Sequence, residues 1–155
     1  MRKINRIIIH CSDSNWGDVE EIRRWHTATP PRGRGWIDIG YHFVILNGYS
    51  HYLDWSTKNF NEKMDGVTET GRNISVMGSH ATGYNEDSIG ICLVGVKSFT
   101  PNQFIMLKSL VLELMQRYLV SVDNVIGHYE CITAHGKTCP NFDVNKLREE
   151  LRTGK

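Results

Sequence analysis

The chain has 155 residues, 40% apolar and 23% charged, a composition that fits one hydrophobic core of ordinary globular kind. Eighteen Lys and Arg oppose seventeen Asp and Glu, leaving a formal charge of +1, so a general nucleic-acid binder that works by neutralising phosphates is not expected. No apolar run approaches the ~20 residues that span a bilayer, and the basic start at Met1-Arg2-Lys3 leads into too short an apolar stretch for a signal peptide. Synthesis in a cytosol without a membrane anchor follows as the expectation.

In chain order, residues 4–9 form a β-branched run that reads as an interior strand ending at His10. Asp18-Val19-Glu20-Glu21 has the cap residue and third-position acid of a helix start, and Val19, Ile22 and Trp25 or His26 continue on one face. The Pro and Gly of Thr29-Pro-Pro-Arg-Gly-Arg-Gly35 break that helix. Gly40–Leu46 and Ser88–Gly95 read as strands covered on both faces. Thr100-Pro-Asn-Gln103 is a capping box with Pro at the first helical position, and Phe104, Leu107, Leu110, Val111, Leu114 and Tyr118 follow at helical spacing. Residues 124–127 suggest a short strand, and Asp143 caps a last helix carrying Val144, Leu147 and Leu151. This alternation predicts an α/β fold, a central mixed β-sheet flanked by α-helices. Residues 47–65 fit less neatly. The segment is polar yet carries Tyr49, Tyr52, Trp55 and Phe60, and reads either as a hairpin excursion or as an ordered loop.

The four cysteines contain no Cys-x-x-Cys, which argues against a zinc ribbon or a thioredoxin-type pair, and a cytosolic chain of this size needs no disulfides. Cys92 lies in a strand pattern and reads as a small buried hydrophobe. His10 and His128 each follow an apolar stretch, at strand ends where α/β proteins build sites. Cys139 sits in a loop stiffened by Pro140. Two imidazoles and a thiolate suit a catalytic zinc that keeps a fourth position open, although ligands so far apart in sequence carry no local spacing to prove them. Taken alone, His10 could equally be a hydrogen-bonded structural histidine. His26 and His42 read as structural, while His51 and His135 lie in loops without a partner. His80, among small residues in Gly78-Ser-His-Ala81, suits a substrate contact or a turn. Lys137 and Tyr41 would stabilise an oxyanion only if they face a metal. Glu130 is either a general base or a surface acid.

Six stretches carry a resemblance: Ile8-Ile-His-Cys-Ser12, Glu21-Ile-Arg-Arg-Trp-His26, Gly35-Trp-Ile-Asp-Ile-Gly-Tyr-His-Phe43, Gly78-Ser-His-Ala-Thr-Gly-Tyr-Asn85, Ser88-Ile-Gly-Ile-Cys-Leu-Val-Gly95 and Lys137-Thr-Cys-Pro-Asn-Phe-Asp143. Together, and in this order, the sequence resembles the zinc-dependent N-acetylmuramoyl-L-alanine amidases of the amidase-2 and peptidoglycan-recognition-protein superfamily, including its phage endolysins. The resemblance implies one amidase domain over 1–155 and a single zinc ion held by His10, His128 and Cys139. It also implies catalytic roles for Tyr41 and Lys137, a place for His80 near the substrate groove, and peptidoglycan as substrate. A monomeric endolysin fits the missing signal peptide: it would wait in the host cytoplasm and act on the cell wall after release. A bacterial recycling amidase, a non-catalytic peptidoglycan-binding protein and an RNA polymerase-inhibiting regulator are the alternatives on the same fold. Polymerase inhibition is not carried over, because the arm that serves it in coliphage members is shorter here. The second departure is residues 47–65, longer than the turn usual in the family.

Overall fold

In the computed structural model, which describes residues 1–154, the strands are β1 (Arg6–Cys11), β2 (Phe43–Ile45), β3 (Thr68–Thr70), β4 (Ser88–Leu93) and β5 (Val125–Gly127). They form one sheet in the order β3-β2-β4-β1-β5. β2, β4, β1 and β5 run parallel, and β3 closes the β2 edge antiparallel, so the expected mixed sheet is present. The helices are α1 (Val19–Thr27), α2 (Tyr52–Ser56), α3 (Pro101–Tyr118) and α4 (Val144–Thr153).

β1 lies deep in the sheet, and its β-branched run supplies both faces with the period-two alternation of a strand. Ile7 and Ile9 join Ile89, Ile91, Leu93 and Ile45 in a cluster closed by Leu107, Val111 and Leu114 of α3 and by Leu147 and Leu151 of α4. Each such fully buried aliphatic side chain contributes about 1.5–3 kcal/mol. The opposite face carries two separate clusters: Val19 and Ile22 of α1 on Val44 and Cys92, and Ile8 with Ala81, Cys131 and Ala134. His10 alternates with Ile9 and therefore points to this second face.

The capping box forms as read. The Thr100 hydroxyl accepts from Gln103 N, and the Gln103 side chain accepts from Thr100 N. Gln103 is buried, and its Nε2 donates to Ile45 O and Val94 O at 3.0 and 2.8 Å, tying the start of α3 to the ends of two parallel strands.

Three elements differ from the sequence reading. β2 is shorter than Gly40–Leu46, because the backbone before Phe43 leaves the regular ladder where Ser79 N bonds Gly40 O. β3 has no counterpart in the reading: Thr-Glu-Thr has no apolar alternation, and Glu69 instead accepts from Val19 N at the start of α1. Residues 47–65 form an ordered excursion containing α2. Asn47 pins it by donating to Asn15 O and accepting from Tyr49 N, and Gly17 N donates to Tyr49 O. Gly48 has φ +93°, and a Cβ there would meet the Phe60 ring, so this turn requires glycine. Among the described residues no helix is long and apolar enough to cross a membrane.

Candidate metal centre

Because β1 and β5 pair in parallel with Ile9 opposite Gly127, the next residue of each chain, His10 and His128, emerges side by side. Their rings stand 4.6 Å apart between centroids. Cys139 arrives from the loop before α4. Cys11 N donates to its sulfur at 3.1 Å, and Tyr129 N holds its carbonyl at 2.9 Å. Asn141 anchors the same loop by donating to Val96 O.

The candidate ligand atoms of His10, His128 and Cys139 all lie within 4.8 Å of one another, with His10 Nδ1 4.0 Å from Cys139 Sγ. Tetrahedral zinc with Zn–S of about 2.3 Å and Zn–N of about 2.0–2.1 Å requires ligand atoms roughly 3.3–3.6 Å apart, so small side-chain adjustments close this set around an ion. The donor chemistry fits as well, with two imidazoles and one sulfur facing a cavity of about 550 Å³. Burial, together with His80, His128 and Lys137, depresses the basicity of His10, and burial and the Lys137 charge do the same to His128. Both imidazoles are therefore neutral, the form that binds metal. The contact with Cys11 and burial push the Cys139 thiol up, so metal capture releases a proton from this sulfur.

Tyr41 lies against the cluster, 5.1 Å from the His10 ring, and burial holds its hydroxyl protonated far above the ordinary tyrosine range. Lys137 lines the cavity from an exposed position. His26 accepts from Gly40 N at 2.9 Å and packs on Tyr41, so it fixes the backbone that carries that tyrosine. Burial, with Arg34 and Arg72 nearby, lowers the His26 pKa to about 4. His42 is a satisfied interior histidine, with Nδ1 accepting from Gly90 N and Nε2 donating to Val76 O.

His80 packs edge-on against the His10 ring, 4.9 Å between centroids. It reaches the cavity wall, but its Nδ1 is 2.8 Å from His10 Nε2 and its Nε2 is 3.2 Å from Ser88 Oγ, so both ring nitrogens are engaged inside the protein. Room for the ring comes from Gly90 of β4, where a Cβ would sit 2.7 Å from it. Glu130 also turns away from the cavity. It accepts from Gly127 N and forms a two-pronged ion pair with buried Arg148 of α4, at 2.8 and 2.9 Å. His51 and His135 are exposed and stand outside the cavity lining. The sequence reading missed Trp25, Arg34 and Trp36 as cavity residues. The signal for Arg34 and Trp36 was present in the Arg-Gly-Arg-Gly-Trp run after α1, where the Arg34 guanidinium stacks 4.9 Å from the Trp36 ring.

The fold is an α/β sandwich in which two histidines at parallel strand ends and a loop cysteine could hold a metal ion, and comparison with known proteins gives the family. A family model described as Amidase_2, N-acetylmuramoyl-L-alanine amidase, matches residues 1–142. The endolysin of Escherichia phage T7 is 37% identical over 156 residues, covering 93% of this chain and 85% of that one. The endolysin of Klebsiella phage KP32 is 33% identical over 160 residues, covering 96% and 88%. Among solved structures, the N-acetylmuramoyl-L-alanine amidase LysC from Clostridium intestinale URNW superposes with a TM-score of 0.76 at 26% identity, covering 97% of this chain and 87% of that one. The chain belongs to the N-acetylmuramoyl-L-alanine amidase family.

Proposed function

We propose that this chain is a zinc-dependent endolysin that hydrolyses the amide between the lactyl group of N-acetylmuramic acid and L-alanine of the peptidoglycan stem peptide. The observation that carries the reading is the convergence of His10, His128 and Cys139 on one side of an open cavity. These three residues would hold the ion, leaving the cavity side for substrate. When bound, zinc supplies a Lewis acid for the scissile carbonyl and lowers the pKa of a water towards ~7.

The protein's own groups do the rest. Tyr41 keeps its proton and lines the cavity, its ring 5.1 Å from that of His10 and its hydroxyl against Cys92. Turned into the cavity, that hydroxyl would donate to the carbonyl oxygen as it gains negative charge. Lys137 adds a cation on the same cavity wall. His80 acts through His10. Only one direction of their hydrogen-bonded chain leaves a lone pair on His10 Nδ1: His80 Nε2–H donates to Ser88, and His10 Nε2–H donates to His80 Nδ1. His80 is thus a positioning residue rather than a substrate ligand. In the biological setting this reading implies, the protein accumulates in a host cytoplasm and degrades the wall on release.

Tyr41→Phe and Lys137→Ala test the roles of the two donors. Each should lower kcat on a muramyl peptide by about 10²–10³-fold, the usual effect of removing one such donor, with zinc content unchanged. Wild-type kcat in both variants would remove them from the chemistry.

A further inference from the structure

A second concave surface lies beyond the Ser12–Trp16 segment from the metal cavity. It is a groove of about 360 Å³ lined by Asn15, Asn47, Tyr49, Trp55, Phe60, Ser98, Phe99 and Thr100. None of these residues is charged. Its outer wall is built by the 47–65 excursion, whose aromatic side chains remain open to solvent: Tyr52 is 58%, Phe60 44% and Trp55 38% exposed. The loop is anchored at Gly17, Asn47, Asp65 and Thr100, and its rings pack only in part, Phe60 on Tyr49 at 5.5 Å and Tyr52 on Trp16 at 5.7 Å, with the rest of their surface left open. Surface-exposed large aromatics grouped in this way mark binding surfaces.

The groove and the metal cavity share no lining residue, but ring-to-ring contacts cross the segment between them. Trp25 lines the cavity and meets Trp16 edge to face at 5.2 Å. Trp16 meets Tyr52 at 5.7 Å, and Tyr52 leans on Trp55 at 6.1 Å. The backbone repeats this path: Asp13 lines the cavity and Asn15, two residues on, lines the groove. A row of rings therefore leads from the cluster to the excursion.

We infer that this aromatic row and groove form a saccharide subsite that holds the glycan strand flanking the muramyl residue whose peptide is removed. The inference rests on the amidase reading and adds a substrate determinant to it. The reaction divides its substrate at the junction of sugar and peptide, so the two products must leave the metal in different directions. The stem peptide carries carboxylates, and the cavity, with two cations, Arg34 and Lys137, against the single carboxylate of Asp13, suits that arm. The glycan backbone is uncharged. Its apolar sugar faces stack on aromatic rings, and its hydroxyl and acetamido groups bond to amides and hydroxyls, here offered by Asn15, Ser98 and Thr100. An uncharged groove of rings, amides and hydroxyls matches that arm and not the acidic one.

The experiment compares zinc-loaded wild type with Trp55→Ala and Tyr52→Ala/Trp55→Ala on two substrates, polymeric peptidoglycan and a monomeric disaccharide-peptide. Alongside, tryptophan fluorescence is titrated with a β-1,4-linked N-acetylglucosamine hexasaccharide. The ratio of kcat/KM on polymer to that on monomer should fall about tenfold in the variants, the scale of one lost anchoring contact, and the fall should lie in KM. Trp55→Phe, which keeps a ring, should restore most of the ratio. The hexasaccharide should perturb wild-type fluorescence and bind Trp55→Ala about tenfold more weakly. An unchanged ratio, or equal hexasaccharide affinity in wild type and variants, would overturn the subsite. Failure of the zinc-loaded wild type to cleave either substrate would instead contradict the amidase reading, and the hexasaccharide titration would then decide the subsite alone.

Discussion

His80 Nδ1 stands 2.8 Å from His10 Nε2, and the same ring is backed by Ser88 through its other nitrogen. The His10 imidazole is thereby held from behind, with Nδ1 turned toward Cys139. Hydrogen-bonded partners of this kind raise metal affinity by orienting the ligand and setting its tautomer. His80→Ala should therefore weaken zinc binding about 10–100-fold, read by competition with a chromophoric chelator. Unchanged zinc affinity would show that His80 does not position the ligand.

Gly90 provides an independent handle on the same relationship. A Cβ at this position would sit 2.7 Å from the His80 ring, inside a strand that cannot shift without disturbing β1 and β2. Gly90→Ala should displace His80, lower zinc affinity in the direction of His80→Ala and cost about 1–3 kcal/mol of stability by overpacking. Denaturant titration and chelator competition on one preparation separate the two effects.

Glu130 gives a contrasting expectation. It bonds Arg148 and Gly127 N and stays outside the cavity lining, so it joins β5 to α4 and takes no part in proton transfer. Removing it leaves Arg148, whose side chain is nearly buried, without its carboxylate. Glu130→Ala should lose about 3 kcal/mol in chemical denaturation while the folded fraction keeps kcat within a few-fold. A stable variant with kcat down a hundredfold would restore the general-base role.

The interior histidines set an acid limit for the metal-free protein. Burial first, then neighbouring cations, lowers the pKa of His26 to about 4, and burial likewise takes His42 to about 4. Unfolded, each titrates near ~6.5, so below that pH the unfolded chain binds more protons than the folded one. The stability contributed by keeping these rings neutral is complete above ~6.5 and is lost as pH falls toward 4. Melting temperature of the metal-free protein should decline across that window. His42→Gln should flatten part of the decline, and a slope identical to wild type would contradict the assignment.

Much of this architecture was legible from residues alone, for identifiable reasons. β1 announced itself because an interior strand of a parallel sheet must be apolar on both faces, and α3 because its capping box and helical spacing agree. β3 was illegible: its pairing with β2 is tertiary, and Thr-Glu-Thr has no local pattern. His10, His128 and Cys139 could be nominated by residue type and strand ends, but their convergence depends on the parallel register of Ile9 with Gly127, which no spacing encodes. The position of His80 behind His10 was likewise hidden, although Gly90 in the middle of a strand was its trace.

The most direct test is digestion of purified peptidoglycan by the zinc-loaded protein, with and without a chelator, read by mass spectrometry. The expected result is free stem peptides with a new L-alanine amino terminus, lost on chelation and restored by added zinc. Peptidoglycan left intact by protein that has bound zinc, or cleavage that persists after complete metal removal, would contradict a zinc amidase.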